Sequence, residues 1–466
     1  MTQPPRSVIT VVGGGFAGTA LVLQLRRQPA LAQTEIHLVE PREVPGPGLA
    51  YSARRPEYLL NVRPGALSIY PEAPQHFAEW LHRQPESAAG VPEFAPRAAY
   101  GRYLSEVLAD ALAPTDGQPA VRWHRSAAVG ARLGRGRRTV QLADGTTIES
   151  DYVVLAMGNF PPPPPAGPDH RYLHHPGYHA DPWTPLNLRR IGPDDSVLLI
   201  GSGLTAVDVL LALRQDGHRA PVTVVARHGR WPNAHGPSGV SYPSFYAELA
   251  SEITVTGVLA VFKRHLRAAA AQGIGWQPVL DSLRPNLGRI WGAWPLAEQQ
   301  RFLRHLAGIW AVTRHRSPPQ NAEAVAALTA AGLVRLHVGT VREILPEGYD
   351  LRVRVRPHGT AGSWYTARHV VCCAGPLLDY GRIADPLVMS LRDAGHLAGD
   401  PLGLGLLTDA HGALRGADGR VSSTLFTLGP SRRPAYFEST AVPELRQQAV
   451  DLARELAGRI ELKARN

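Results

Sequence analysis

The residues of this chain best suited to chemistry are three glycines near its start, Gly13, Gly15 and Gly18. They follow a run rich in β-branched residues, Ser7 to Val12, and precede a helical pattern, Thr19 to Arg27. This G-x-G-x-x-G spacing allows a tight turn, a close approach of backbone to a pyrophosphate, and close packing of helix on strand. The N–H groups at the start of the helix favour the same anion. The stretch therefore predicts a dinucleotide site.

An acidic residue stands where such a site needs one. The second strand pattern, Glu35 to Val39, ends in Glu40. A carboxylate about 20 residues beyond the glycines is placed to bind ribose hydroxyls. Strand, glycine turn, helix and terminal acid together are far more specific than a glycine-rich turn alone.

A second turn of the same kind occurs later in the chain. A buried strand pattern begins at Ser196 and leads into Gly201, Gly203 and Ala206, a G-x-G-x-x-A spacing. The following strand ends in Arg227 instead of an acid. Arginine can bind a 2′-phosphate that a carboxylate would repel, so the pattern favours NADPH over NADH. The alternative is an ordinary surface arginine.

Composition limits the classes of protein to consider. A chain of 466 residues is too long for one core, which predicts two or three domains. It has no long apolar run, and its apolar start is better interpreted as a strand than as a signal peptide. The adjacent pair Cys372 and Cys373 points to opposite faces of a strand, which disfavours a disulfide and favours the cytoplasm. The formal charge of +10 is almost all arginine, which indicates either a GC-rich genome or anionic ligands.

No motif for nucleic acid is present, and no membrane association is predicted. His174, His175 and His179 lie close together, but no acid or cysteine completes a metal site, so a packed or solvated linker is favoured. The region Ser238 to Gln320 interrupts the α/β rhythm with helical patterns, notably Leu296 to Val312.

Two nucleotide turns, each followed by an apolar strand that ends in glycine, resemble the flavoproteins with two dinucleotide-binding domains. The chain is similar to a bacterial FAD/NAD(P)-binding protein family, in GPGLAY, LLNV, GSGLTAVD, the basic RFLRH and RHR of the helical region, and ESTAVPELR. More distantly it resembles flavin-dependent N-hydroxylating monooxygenases. Two features depart from the family pattern: Arg63 stands where proline is usual, and Tyr436-Phe437 stands where tryptophan is expected.

The resemblance implies an α/β fold with two Rossmann-like dinucleotide-binding domains and a helical insert. The predicted limits are 1–165 and 371–466 for the FAD-binding domain, 166–237 and 326–370 for the NADPH-binding domain, and 238–325 for the insert. The residues expected at the FAD are Gly13, Gly15, Phe16, Ala17, Gly18, Glu40, Gly48, Leu49, Ala50, Tyr51, Asn61, Val62, Ala128, Val129, Ala156, Gly158, Gly429, Pro430 and Thr440. Those expected at the NADPH are Gly201, Ser202, Gly203, Leu204, Thr205, Arg227, Ala374 and Gly375. Tyr51, Asn61 and Arg63 are the candidate catalytic residues, and no metal is expected.

The implied function is an FAD- and NADPH-dependent oxidoreductase. A monooxygenase that uses molecular oxygen to hydroxylate a small, acidic substrate, such as an amino acid, is favoured. The alternatives are a reductase or dehydrogenase with another acceptor, and a non-catalytic nucleotide-binding protein. The absence of C-x-x-C disfavours a disulfide reductase. The arginines of the insert, Arg314 among them, are expected to form an anionic-substrate pocket with Arg63; the alternative is that the insert mediates a homo-oligomer.

Overall fold

The computed structural model describes residues 7–465 except 86–89, 91, 135, 136, 166, 168, 185, 186, 358 and 360. The strands are β1 Val8–Val12, β2 Glu35–Val39, β3 Ala120–His124, β4 Ala128–Leu133, β5 Arg138–Leu142, β6 Thr147–Ser150, β7 Tyr152–Leu155, β8 Tyr178–His179, β9 Val197–Ile200, β10 Val222–Ala226, β11 Val334–Val338, β12 Thr340–Glu347, β13 Asp350–Arg356, β14 Ser363–Ala367, β15 His369–Cys372, β16 Ala413–Arg415 and β17 Val421–Thr427.

The helices are α1 Phe16–Arg26, α2 His76–His82, α3 Arg97–Leu112, α4 Leu204–Gln215, α5 Tyr246–Leu249, α6 Val255–Ala271, α7 Trp276–Asp281, α8 Leu287–Ala293, α9 Leu296–His305, α10 Ala307–Arg314, α11 Pro319–Ala330, α12 Pro386–Asp393, α13 Arg433–Tyr436 and α14 Val442–Arg465.

The first sheet has six strands in the order β16-β17-β7-β1-β2-β3. Its central strand β1 is buried along its whole length, as a parallel strand covered on both faces must be. Val12 pairs with both Val39 and Leu155, so β1, β2 and β7 end at the same edge. That register brings the residues that follow them, Gly13, Glu40 and Ala156, to one edge of the sheet.

The second sheet repeats this arrangement with five strands in the order β11-β10-β9-β15-β8. Ile200 pairs with Val225 and with Cys372, so β9, β10 and β15 also end together. Each sheet is accompanied by a small antiparallel sheet, β4-β5-β6 beside the first and β12-β13-β14 beside the second. The chain therefore contains the same α/β unit twice, and the predicted fold class is confirmed.

The second unit lies within the sequence of the first. β7 pairs with β17, which follows the whole second sheet in the chain. α14 then packs on α1. The domain limits given above stay a prediction.

Helices α5 to α10 form a separate apolar cluster beside the two sheets. The pattern from Leu296 to Val312 predicts one helix, but the chain forms two, α9 and α10, which are separated at Leu306. Leu306 has φ −119°, far from the ideal helical value of about −63°, and Phe302 and Trp310 on its two sides meet at 6.1 Å between ring centroids.

The two cysteines are free and buried, and they pack in different cores on the two faces of the second sheet. This placement agrees with the prediction that the two side chains point to opposite faces.

Candidate functional site

The first glycine turn has backbone geometry that only glycine allows. Gly13 has φ +108°, and a Cβ there would collide with the carbonyl oxygen of Ala156. A Cβ on Gly18 would collide with the carbonyl oxygen of Gly13. The turn therefore depends on glycine at both positions, one for its φ and the other for the contact between α1 and the strand end.

A loop closes over this turn. The Gly46 N–H donates to the Gly14 carbonyl over 2.7 Å. Gly48 has φ +57°, and its Cα would lie 3.3 Å from a Cβ placed on Gly15. A Cβ on Gly15 would therefore be tight against the backbone of Gly48 and would occupy the narrow gap between the turn and this loop.

A cavity of about 270 Å³ lies between these elements at the edge of the first sheet. Of the residues predicted at the FAD, it brings together Gly13, Gly15, Phe16, Ala17, Glu40, Gly48, Leu49, Ala50, Tyr51, Ala156, Gly158, Pro430 and Thr440. The wall also contains residues that are not among those predicted at the FAD, namely Arg42, Pro47, Arg97, Met157, Asn159, Trp183 and Leu445.

The buried carboxylate of Glu40 forms part of the cavity wall. It accepts hydrogen bonds from the Gly14 N–H over 2.9 Å and from the Arg42 N–H over 3.0 Å. The Arg42 guanidinium lies 3.2 Å from Oε1. These contacts fix the carboxylate beside the glycine turn, where it can accept from ribose hydroxyls.

The cavity fits the dinucleotide that the glycine spacing predicts. Gly15 begins α1 with no side-chain cap, so the first N–H groups of the helix are left for an anion. The gap beside Gly15 would be filled by a Cβ, and Glu40 supplies the acceptor for a ribose. FAD would be held by the glycine turn, Glu40 and the loop Gly48 to Tyr51.

Tyr51 lies in the cavity wall, where burial raises the pKa of its phenol to about 12. Its ring packs edge-on against Tyr100, with 4.7 Å between centroids. The phenol is therefore protonated at neutral pH and acts as a hydrogen-bond donor or an apolar wall, not as a base.

The wall residue Arg97 joins the two α/β units. Its guanidinium lies 2.6 Å from the buried carboxylate of Asp208, which belongs to α4 of the second unit. It also lies over the ring of Trp183 at 5.2 Å. Burial raises the pKa of Asp208 to about 6, and the charge of Arg97 opposes that rise. The cavity therefore touches a buried ion pair between the domains.

Six residues predicted at the FAD do not line this cavity: Gly18, Asn61, Val62, Ala128, Val129 and Gly429. Gly18 allows the close contact between α1 and the end of the strand. The Gly429 N–H donates to Gln448 Oε1 over 2.9 Å, which positions Pro430 beside the cavity. The carbonyl of Asn61 is bonded to His235 Nε2 over 2.9 Å. Their roles toward a cofactor stay predictions.

Arg63 also lies outside the cavity wall. It forms an ion pair of 2.7 Å with Glu93, donates to the Gly236 carbonyl over 2.9 Å and lies 5.1 Å from the ring centroid of Phe94. These contacts connect the loop after Asn61 to the segment that leads into the helical insert.

The second glycine turn is open to solvent. Gly201 has φ +111°, and a Cβ there would lie 2.7 Å from the Cys373 carbonyl oxygen, as at Gly13. A Cβ on Gly203 would meet no atom within 4 Å. Gly203 begins α4 without a side-chain cap. Arg227 is exposed directly after β10, beside this turn in the sheet. Of the other residues predicted there, Ser202 donates to the Arg230 carbonyl over 2.6 Å, and Leu204, Thr205, Ala374 and Gly375 follow the strand ends.

The arginines of the insert differ in their surroundings. Arg301 is half exposed and paired with Glu298 at 2.9 Å. Arg314 is nine-tenths buried, 3.9 Å from Glu438 and 3.6 Å from Glu444. Glu444 is held in turn by two hydrogen bonds from Arg284, of 2.8 and 3.0 Å. Burial lowers the pKa of Arg314.

Within the part of the chain that the structure describes, no three or more His, Cys, Asp or Glu side chains are grouped as a metal site. His179 is bonded to His369 over 3.0 Å. No described helix has both the length and the apolar character needed to cross a membrane.

Comparison with known proteins supports the interpretation of this cavity as a cofactor-binding site. Residues 10–160 match a family model described as FAD-NAD(P)-binding. A search of the curated proteins found no match.

Several solved structures share the fold over nearly the whole chain. The ornithine N-hydroxylase of Kutzneria sp. 744, determined with reduced FAD, NADP⁺ and L-ornithine, has a TM-score of 0.67 at 16% identity, over 98% of this chain and 100% of the hydroxylase. The FAD-bound cadaverine monooxygenase of Erwinia amylovora has a TM-score of 0.68 at 12% identity, over 98% and 95%. The bacillithiol disulfide reductase of Bacillus cereus has a TM-score of 0.52 at 13% identity, over 98% and 100%.

The fold is that of the flavoproteins with two dinucleotide-binding domains. Within it, residues 10–160 carry an FAD/NAD(P)-binding domain.

Proposed function

We propose that the protein is an FAD- and NADPH-dependent monooxygenase. The observation that carries the proposal is the combination of an FAD-type cavity at Gly15 and Glu40 with a second, open glycine turn at Gly203. The likeness to N-hydroxylating monooxygenases over 98% of the chain supports the same reading.

Bound FAD would supply the redox chemistry, namely hydride acceptance from a nicotinamide and reaction with molecular oxygen. The residues of the chain bind the cofactor and shield it from solvent. Glu40 and the glycine turn position the cofactor, and Tyr51 presents a protonated phenol at the cavity. Arg97 places a guanidinium in the cavity wall and is held there by its ion pair with Asp208.

An alternative is an NADPH-dependent reductase that uses another acceptor, and the reductase likeness is the observation in its favour. Disulfide chemistry at the flavin is disfavoured because both cysteines are buried in the cores of the second sheet and neither lines the FAD cavity.

The test uses the purified, FAD-loaded protein with NADPH, ¹⁸O₂ and a panel of amines, amino acids and apolar compounds. A monooxygenase places one ¹⁸O atom in a product, detected by mass spectrometry, with NADPH consumed in equal amount. Rapid NADPH oxidation under argon with a quinone or dye, and no ¹⁸O in any product, would assign the reductase function instead.

We propose, as the narrower form of this function, that the substrate bears an acidic group recognised by Arg63 and Arg314. The ion pairs of Arg63 with Glu93 and of Arg314 with Glu438 and Glu444 mean that a substrate carboxylate must compete with those groups. With an acidic substrate from the panel, Arg63→Ala and Arg314→Ala should each raise KM about tenfold or more. Wild-type KM values in both FAD-loaded variants would contradict the proposal that these arginines form an anionic-substrate pocket.

A further inference from the structure

The helical insert contains a second cavity, separate from the one beside Gly15. It has a volume of about 210 Å³ and is lined by residues from Val255 of α6 to Thr313 of α10 together with Phe437. Apart from Thr313, every residue that lines it is aliphatic, Phe or Trp. The Thr313 hydroxyl is bonded within its own helix, to the carbonyls of Ile309 and Trp310. The cavity thus offers almost no polar group to a ligand or to water.

An apolar space of this size is unusual in a packed protein. Protein cores seldom leave spaces larger than a water molecule, and apolar cavities of about 150 Å³ stay dry and accept benzene. This cavity is larger, so it has room for a bicyclic aromatic molecule or a short aliphatic chain. Ile309, which lines it, is 41% exposed and places part of the wall at the surface.

The wall also contains one unsatisfied polar atom. The indole N–H groups of Trp291 and Trp310 donate to Pro434 and Glu438 over 2.9 and 2.7 Å. The indole nitrogen of Trp294 is buried and has no hydrogen-bond partner among the described residues. An acceptor atom on a bound molecule would complete it.

Phe437, in the wall of this cavity, lies three residues before Thr440, in the wall of the FAD cavity. It stacks on Trp291 at 4.6 Å and meets Phe302 edge-on at 5.2 Å. Its φ of +56° is the only positive value at a non-glycine position among the described residues, a strained backbone that its aromatic neighbours maintain. Thr440, three residues later, lines the FAD cavity, so their Cα atoms are at most about 11 Å apart.

We propose that the aromatic cavity of the insert binds the apolar body of the substrate whose oxygenation is proposed above, a substrate with an aromatic or aliphatic group and a hydrogen-bond acceptor. This inference rests on the proposed function for its link to the flavin. The binding of an apolar ligand does not depend on that function.

The first experiment measures binding to the FAD-loaded protein by calorimetry, with 2-acetylnaphthalene as the apolar probe and L-ornithine as the polar one. We expect 2-acetylnaphthalene to bind with 1:1 stoichiometry and a negative heat-capacity change. Val258→Phe, in the cavity wall, should weaken this binding at least tenfold. Ala268→Phe introduces the same side chain at an exposed position of the same helix and should leave it unchanged.

If Val258→Phe loses its helical circular dichroism or its FAD, Leu280→Phe fills the same space from α7. If 2-acetylnaphthalene does not bind the wild type, or binds the wild type and a folded cavity variant equally, the proposed binding site is refuted.

The second experiment records the visible spectrum of the bound flavin during the same titration. A difference spectrum that saturates with the calorimetric curve supports the assignment to the substrate. Binding without any change in the flavin spectrum would overturn that assignment. If the protein binds the probe but incorporates no ¹⁸O into any product, the monooxygenase proposal is contradicted and the apolar binding site is still supported.

Discussion

At the scale of single residues, Gly15 gives the sharpest test of the FAD site. Gly15→Val would place a side chain against Gly48 and into the space for the pyrophosphate. We expect protein that folds but purifies colourless, measured as flavin absorbance per protein.

Gly203→Val is the matched control, because a Cβ there meets no atom within 4 Å. This variant should keep its FAD and show a raised apparent constant for NADPH. A fully yellow Gly15→Val protein would refute the assignment of the first turn to FAD.

At the scale of an element, the end of β10 is expected to select the nicotinamide cofactor. Arg227→Ala removes a charge-assisted contact to a 2′-phosphate, a loss of about 1.5–3 kcal/mol. The apparent constant for NADPH should rise about ten- to a hundredfold, while that for NADH should barely change. Arg335→Ala removes an exposed charge from the neighbouring strand β11 as a control. If the apparent constants for NADPH and NADH rise equally, Arg227 stabilises the structure and does not contact the 2′-phosphate.

The end of β15 is expected to be dispensable for electron transfer. Burial raises the pKa of both thiols, so neither Cys372 nor Cys373 is a ready nucleophile at neutral pH. The Cys372→Ser, Cys373→Ser double variant should lose some stability but still allow NADPH to reduce the flavin in a stopped-flow assay. Complete loss of reduction in the folded, FAD-loaded variant would indicate thiol chemistry.

The elements that the sequence predicts well are those with strong local signals. Glu35 to Val39 is a strand with the predicted limits, because its apolar residues lie between a turn and the acid Glu40. β8 has no local sequence signal, because its two residues form a strand only through pairing with β15, which lies far along the chain. The break at Leu306 cannot be predicted from the spacing, because the apolar pattern continues through it.

The same distinction applies to the site. The glycines and Glu40 follow from spacing, but Arg97 and Trp183 lie far from the glycine motif in sequence and reach the cavity only through tertiary packing. The sequence GSGLTAVD contains Asp208, whose pairing with Arg97 no motif reveals. Arg63 differs again: its position in the sequence predicts a site, and its side chain is paired with Glu93, with which a substrate carboxylate would have to compete.

At the scale of the whole molecule, the buried pair of Arg97 and Asp208 gives the domain interface a pH dependence. Burial raises the pKa of Asp208 from its ordinary 3.8 to about 6, so between these pH values the folded chain holds a proton that the unfolded chain has released. The contribution of this group to the free energy of unfolding therefore falls as pH rises from about 4 to about 6, by roughly 3 kcal/mol at most, and is constant above.

Asp208→Asn should remove this component, measured as the difference between wild-type and variant urea-unfolding curves at pH 4.5 and pH 7. Asp216→Asn makes the same chemical change at the end of α4, in the exposed pair with Arg55. If wild type and Asp208→Asn show the same pH dependence, the carboxyl of Asp208 does not titrate in this range.

The pairing of β7 with β17 has a consequence for the order in which this protein can be made. The Thr427 hydroxyl donates to the Leu155 carbonyl across 272 positions of sequence. During synthesis, β7 therefore waits as an open sheet edge while the whole second domain emerges from the ribosome, and such edges invite mispairing. Pro430 and Thr440 complete the wall of the FAD cavity later still. A nascent chain therefore has its phosphate turn from the start but a finished flavin cavity only at the end, so cofactor loading belongs to the last stage of its folding.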